Sequence, residues 1–303
     1  LAAPVLVRHG HPRLAGAVLA LIALLKVYPA LLVLYYALRR RWYVVAGAVA
    51  SGALLVGGMM LAIGVASVTT TGRMLDNGFG FTHSATNEAF AQVPVWIAVL
   101  FGGRAGSATR MTGYALIGLV TLAFLTVVFA VSRRRPRAKW LWFGVPAYAP
   151  ATPPGATHSE PPAAPSVSAE TTEMLGYGWA VCAMLLISPL VWLHYFAWLL
   201  PPVAASLTVL MRTPPAVAVT RRRWWLAVLL GAYLCVAAPL PFSHDFSGVF
   251  ATGPHLWGLP IGVAIGLARP LGTFTLWLLL GVLFVRETTR TQTLHSPRAY
   301  TEG

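Results

Sequence analysis

Apolar runs punctuated by short basic clusters set the pattern of this chain. Residues 14–38 are apolar except for Lys26, with Pro29 just beyond it, and they are flanked by Arg8 and Arg13 before and by Arg39, Arg40 and Arg41 after. This run reads either as one tilted membrane span or as two half-helices that turn at 26–29 with both ends on the same side, because proline disfavours helical geometry at the preceding residue. Residues 42–66 form a clear span rich in Gly and Ala, small residues that let membrane helices pack closely. A long polar stretch, 67–111, follows as an outer loop. Its apolar piece, 93–101, falls short of the ~20 residues needed to cross a bilayer and reads as interfacial. Further spans are expected at 112–132, 175–187, 190–211, 224–240 and 259–285, the last interrupted by Arg269-Pro270. Residues 140–172, dominated from 147 onward by Pro, Ala, Ser and Thr, cannot bury a core and are expected to be a disordered cytoplasmic loop. Residues 286–303 read as a polar cytoplasmic tail.

Composition agrees with this pattern. Of the 303 residues 57% are hydrophobic and only 10% charged, so the expected fold class is all-α, a polytopic transmembrane helical bundle forming a single membrane domain over 1–303. The net charge of +14 does not indicate nucleic acid, because the arginines cluster at the ends of apolar runs, as at Arg133, Arg134, Arg135 and at Arg221, Arg222, Arg223. That is the positive-inside pattern of a multi-pass protein. Alternation from Arg39–Arg41 then keeps every later cluster in the cytoplasm and places 67–112, 188–195 and 241–258 on the outer face. Cys182 and Cys235 lie in apolar runs and read as small buried residues rather than a disulfide. With no zinc-type spacing, no Asp-x-Asp and no Gly-rich phosphate loop, neither a metal site nor a cofactor is expected.

The chemistry-bearing residues sit on the outer side of this arrangement. The stretch 185–203 carries Ser188, Pro189, Trp192, His194 and Tyr195 inside an otherwise apolar sequence, and polar or ionisable groups at membrane depth mark a site or a cavity. Pro189 suits the first turn of a returning helix, with Ser188 near its N-cap. A helix N-terminus there favours an anion such as phosphate, to which His194 can donate, while Trp192 and Tyr195 can stack on a sugar or belong to an interfacial aromatic belt. Lys26 is either a snorkelling lysine or a phosphate contact. Asn87 can bond a substrate hydroxyl, and Arg269 is either a lipid-phosphate contact or a snorkelling cation. Three acids, Asp76, Glu88 and Asp245, are the weak candidates for a general base, none within a recognisable motif.

Taken together these residues resemble glycosyltransferase family 87. AGAVLALIALLKVYPALLVLYYALRRRW, residues 15–42, is similar to that family's Gly- and Ala-rich Lys-x-x-Pro segment with its following basic cluster. SPLVWLHYFAWLLPP, residues 188–202, is similar to its Ser-Pro-x-x-Trp-x-His-Tyr motif, and Asn87 falls at its Asn-Gln-Ser element, although here Glu88-Ala89 follow. The resemblance covers roughly 13–202. It implies a membrane enzyme of the GT-C type that transfers mannose from a polyprenyl-phosphate donor to a lipid or glycan acceptor, on the extracytoplasmic face of the plasma membrane. On this reading His194 and Lys26 meet the donor phosphate, and Ser188, Trp192, Tyr195 and Asn87 complete the substrate site. The family's catalytic aspartate lies in the first outer loop of its N-terminal half. The chain, which starts at Leu1, is expected to be the C-terminal, donor-binding portion with its base elsewhere. The alternatives are a lipid or sugar-lipid transporter, for which broken helices are typical, and a non-catalytic membrane subunit.

Overall fold

A computed structural model of the chain describes residues 2–25, 29–64, 90–101, 107–133, 169–188, 197–212, 219–237, 255–256 and 259–294. The fold is all-α. Its helices are α1 (Ala2–Arg8), α2 (Pro12–Leu25), α3 (Ala30–Leu38), α4 (Trp42–Ile63), α5 (Val93–Leu100), α6 (Ser107–Arg133), α7 (Ala169–Ile187), α8 (Leu200–Arg212), α9 (Val219–Ala237) and α10 (Ile261–Leu294). A two-residue ribbon, β1 (His255–Leu256) against β2 (Leu259–Pro260), precedes α10 with Leu256 opposite Leu259. Among the described residues three helices are long and apolar enough to cross a membrane: Trp42–Ile63, Ser107–Arg133 and the Leu267–Arg290 part of α10.

Several elements differ from the sequence reading. Within the stretch expected to be an outer loop, a 3-10 turn, Phe90–Gln92, leads into α5, which packs on α6 and α10. α7 begins at Ala169, inside the segment expected to be disordered, because Ala-Glu-Thr-Thr-Glu supplies acidic residues where a helix N-terminus favours them. α10 continues past 285 to Leu294, so the start of the expected polar tail is helical. Cys235 is exposed, not buried; Cys182 alone of the two lies inside.

The first three helices after α1 form a compact unit. Gly16 of α2 lies against the Val44 carbonyl and Ala48, Gly47 of α4 lies against Arg13, and a Cβ at Gly52 would stand 3.9 Å from the Ala20 Cβ. Higher numbers in α2 therefore meet higher numbers in α4, so the two helices run in the same direction. α3 joins them and must run back. Arg13 and Arg39–Arg41 therefore end up at one end of the bundle, the basic end. With 14 and 9 residues, α2 and α3 reach only about 21 and 13 Å, short of a ~30 Å hydrocarbon core.

A sharp stop separates α3 from α4. The Arg40 N–H donates to the Ala37 carbonyl and the Arg41 N–H to the Tyr36 carbonyl, at 2.8 and 2.9 Å. This Schellman pattern requires a left-handed residue, and Arg40 takes that place at φ 58°. The same closure after α1 uses Gly10 at φ 80°. An L-residue with a side chain is strained there by about 1–2 kcal/mol. Arg40→Gly is therefore expected to raise unfolding stability by up to about 1 kcal/mol, read as a higher midpoint in detergent-induced unfolding.

α7 is the centre of the bundle. Leu175, Ala180, Val181, Cys182 and Ala183 are all fully buried, and α3, α6, α8 and α10 pack around the helix. Burial is possible because glycines admit neighbours: Gly176 touches Tyr35 and Phe284, Gly178 touches Pro202, and Gly281 of α10 touches Trp179. An aromatic series continues along this seam. Phe90 stacks on Phe274 at 5.4 Å, Phe274 on Trp277 at 5.8 Å, Trp277 on Trp179 at 6.0 Å and Trp179 on Phe284 at 5.9 Å. In contrast, only 11% of the spanning window of α4 is buried, which leaves most of that helix facing outward.

Candidate functional site

Of the residues expected to handle substrate, the structure describes Ser188. Lys26, Asn87, Trp192, His194 and Tyr195, and the acids Asp76, Glu88 and Asp245, lie outside the described residues. Ser188 is 2% exposed and closes α7, its N–H donating to the Met184 carbonyl at 3.0 Å. It was expected near the N-cap of the returning helix, but α8 starts at Leu200, after a 3-10 turn at 197–199. Pro201 and Pro202 explain that later start, since proline is accommodated in a first turn, where its missing N–H has no partner to lose.

The levels of these ends define a layer at the end of the bundle opposite the arginines. Pro202 packs on Gly178, and from Gly178 to Ile187 α7 rises about 13 Å further. α8 therefore begins near the level of Gly178, nearly half a membrane thickness short of the end of α7. α10 runs antiparallel to α7, with Gly281 beside Trp179 and Phe284 beside Gly176. Continued outward, the same register sets Gly272 level with Ser188 and Arg269 about one turn beyond.

Arg269 is a charge that this layer contains. It is fully buried, so it does not snorkel to the surface. The Thr273 hydroxyl donates to its carbonyl at 2.9 Å, and Pro270 follows it inside the helix, removing one backbone donor at this point. A guanidinium retained at such a depth favours an anionic group beside it, a phosphate or a carboxylate.

A second polar cluster lies at the basic end. Arg39, 7% exposed, donates to the Tyr35 hydroxyl at 2.5 Å and faces the Phe284 ring at 5.4 Å. Burial disfavours its charge, but Tyr35 and then Glu173 more than offset this and hold the guanidinium above its ordinary pKa. Arg41 reaches Glu173 at 3.4 Å, tying the start of α4 to the first turns of α7. Glu173 went unnoticed in the sequence because it borders the Pro- and Ser-rich segment. The available signal was its place in a Glu-x-x-Glu pair just ahead of an apolar run. Among the described residues no group of His, Cys, Asp or Glu is placed to hold a metal ion.

These features define an α-helical membrane protein with a buried polar layer opposite its basic end. Residues 1–149 match the model for glycosyltransferase family 87, which supports a membrane glycosyltransferase. The matched part includes Lys26, Asp76, Asn87 and Glu88, and it does not extend to the Ser188–Tyr195 stretch or to Asp245. No curated protein and no solved structure matches the chain.

Proposed function

We propose that this protein is a multi-pass glycosyltransferase of the plasma membrane that moves a sugar, mannose, from a polyprenyl-phosphate donor to a lipid or glycan acceptor on the extracytoplasmic face. The family match over 1–149 carries this reading. The layer of Ser188 and Arg269 supports it, because it lies opposite Arg13 and Arg39–Arg41, hence on the outer side by the positive-inside rule. In the proposed site Lys26 and His194 contact the donor phosphate, and Arg269 adds a fixed positive charge to the same layer. Trp192 and Tyr195 shape the sugar and lipid pocket, and Asn87 and Ser188 bond hydroxyls. The reaction needs a carboxylate to take the proton of the acceptor hydroxyl. Asp76, Glu88 and Asp245 are the acids that alternation sets on that face.

The test uses the purified native protein in liposomes holding polyprenyl-phosphate-[14C]mannose and an extract of membrane lipids as acceptor. Label is expected to pass from donor to acceptor. His194→Ala is expected to lower kcat/KM for the donor by roughly 10- to 100-fold, the worth of a hydrogen bond to a charged group. Full transfer activity in that variant would remove His194 from the site. Movement of intact donor across the bilayer without transfer would make the protein a transporter instead.

A further inference from the structure

A cleft of about 200 Å³ opens between α6 and α10 near the basic end. Its walls include Thr126 and Ala130 on α6 and Val285, Thr288 and Thr289 on α10. Both helices pack on α7 while making little contact with each other, which leaves the groove between them open. The groove is more apolar than its residue names suggest. The Thr288 hydroxyl donates to the Phe284 carbonyl at 2.7 Å and the Thr289 hydroxyl to the Val285 carbonyl at 2.9 Å. With these hydroxyls engaged inside their own helix, α10 offers methyl groups to whatever fills the cleft. Such a surface suits a hydrocarbon chain.

Among the described residues at the same level, the exposed charges are positive. Arg133 ends α6 just beyond the cleft, its guanidinium 4.2 Å from the ring centroid of Phe129, a residue on the exposed side of the helix. Arg286 follows Val285 on the other wall and is half exposed, with the buried Glu287 carboxylate 4.0 Å away. Lipid tails gain no hydrophobic energy by leaving other tails, so a lipid is retained in such a groove by close packing and by its headgroup. Near a membrane surface each arginine favours an anionic headgroup by an amount worth about fivefold in affinity.

The geometry points to a binding site for an anionic phospholipid of the cytoplasmic leaflet, with one acyl chain in the α6–α10 cleft and its phosphate beside Arg133. This site is separate from the outer layer of Ser188 and Arg269 and does not depend on the transfer reaction.

Native mass spectrometry of the purified chain, titrated with phosphatidylglycerol or phosphatidylcholine, tests it. Ala130 is exposed on the cleft wall, so Ala130→Trp fills the groove without disturbing the core. Leu119→Trp, on an exposed face of the same helix away from the cleft, is the control. Phosphatidylglycerol is expected to bind the unaltered chain and Leu119→Trp alike, and Ala130→Trp about tenfold more weakly, as a dozen or so lost carbon contacts would produce. Arg133→Gln is expected to lower the preference for phosphatidylglycerol over phosphatidylcholine about fivefold. Equal binding of phosphatidylglycerol by the two tryptophan variants, or no preference for it over phosphatidylcholine in the unaltered chain, overturns the proposal.

Discussion

Gly16→Leu is expected to separate α2 from α4 and to lower the stability of the bundle by about 3 kcal/mol or more. The Cα of Gly16 faces the Val44 carbonyl and the Ala48 N–H so closely that even a Cβ has no room. The obstructing atoms are backbone, which cannot rotate aside as a side chain would. Overpacking a core typically costs 1–3 kcal/mol, and a clash with rigid backbone lies at or beyond the upper end. Membrane helices associate through van der Waals contact, so a gap that reopens between them is not compensated by lipid. A cysteine pair provides the measurement. With Cys182 and Cys235 changed to alanine, Ala20→Cys and Gly52→Cys should form a disulfide, since their Cβ atoms stand 3.9 Å apart, within the range for that bond. Adding Gly16→Leu should abolish the crosslink. A crosslink that persists would mean that Gly16 does not sit tightly against the backbone of α4.

Trp179→Ala is the second large effect, expected at about 3–5 kcal/mol. The indole is 2% exposed and touches Trp277, Phe284, Phe124 and the Cα of Gly281. It therefore joins α6, α7 and α10 at one point, and its removal leaves a cavity that three helices would have to collapse to fill. Trp224→Ala offers the comparison. That residue is 69% exposed at the basic end, and its loss should change stability by no more than about 0.5 kcal/mol. The check is the unfolding midpoint of both variants in a detergent titration. Similar midpoints would show that the aromatic series along α7 is not where the bundle holds together.

The long apolar runs of α4 and α6 and the arginine clusters beside them were legible in the sequence because crossing a bilayer demands uninterrupted apolar length. The chain at 26–29 was legible as a break or a kink but not as a choice between them. A Lys-x-x-Pro pattern only weakens a helix locally; where the two pieces go depends on Gly16 meeting Val44 and Ala48 and on Gly47 meeting Arg13, contacts between residues far apart in sequence. The late start of α8 escaped because Ser188-Pro189 and Pro201-Pro202 are both acceptable helix starts.

Arg269 shows the division most plainly. Its sequence context, an arginine before a proline in an apolar run, fits both a lipid-facing snorkel and a buried charge. Its full burial, and its register with Ser188 across α7 and α10, exist only once those helices pack antiparallel. Sequence by itself determined that this is an all-α membrane protein, which end of it carries the arginines and which residue types can meet a phosphate. Tertiary structure alone decided that α2 and α4 run parallel in close contact, that α7 is the enclosed centre and that Arg269 is fully buried. The physical reason is that solvent preference acts on each residue separately and is written along the chain, whereas close packing depends on pairs of surfaces that come together only in three dimensions.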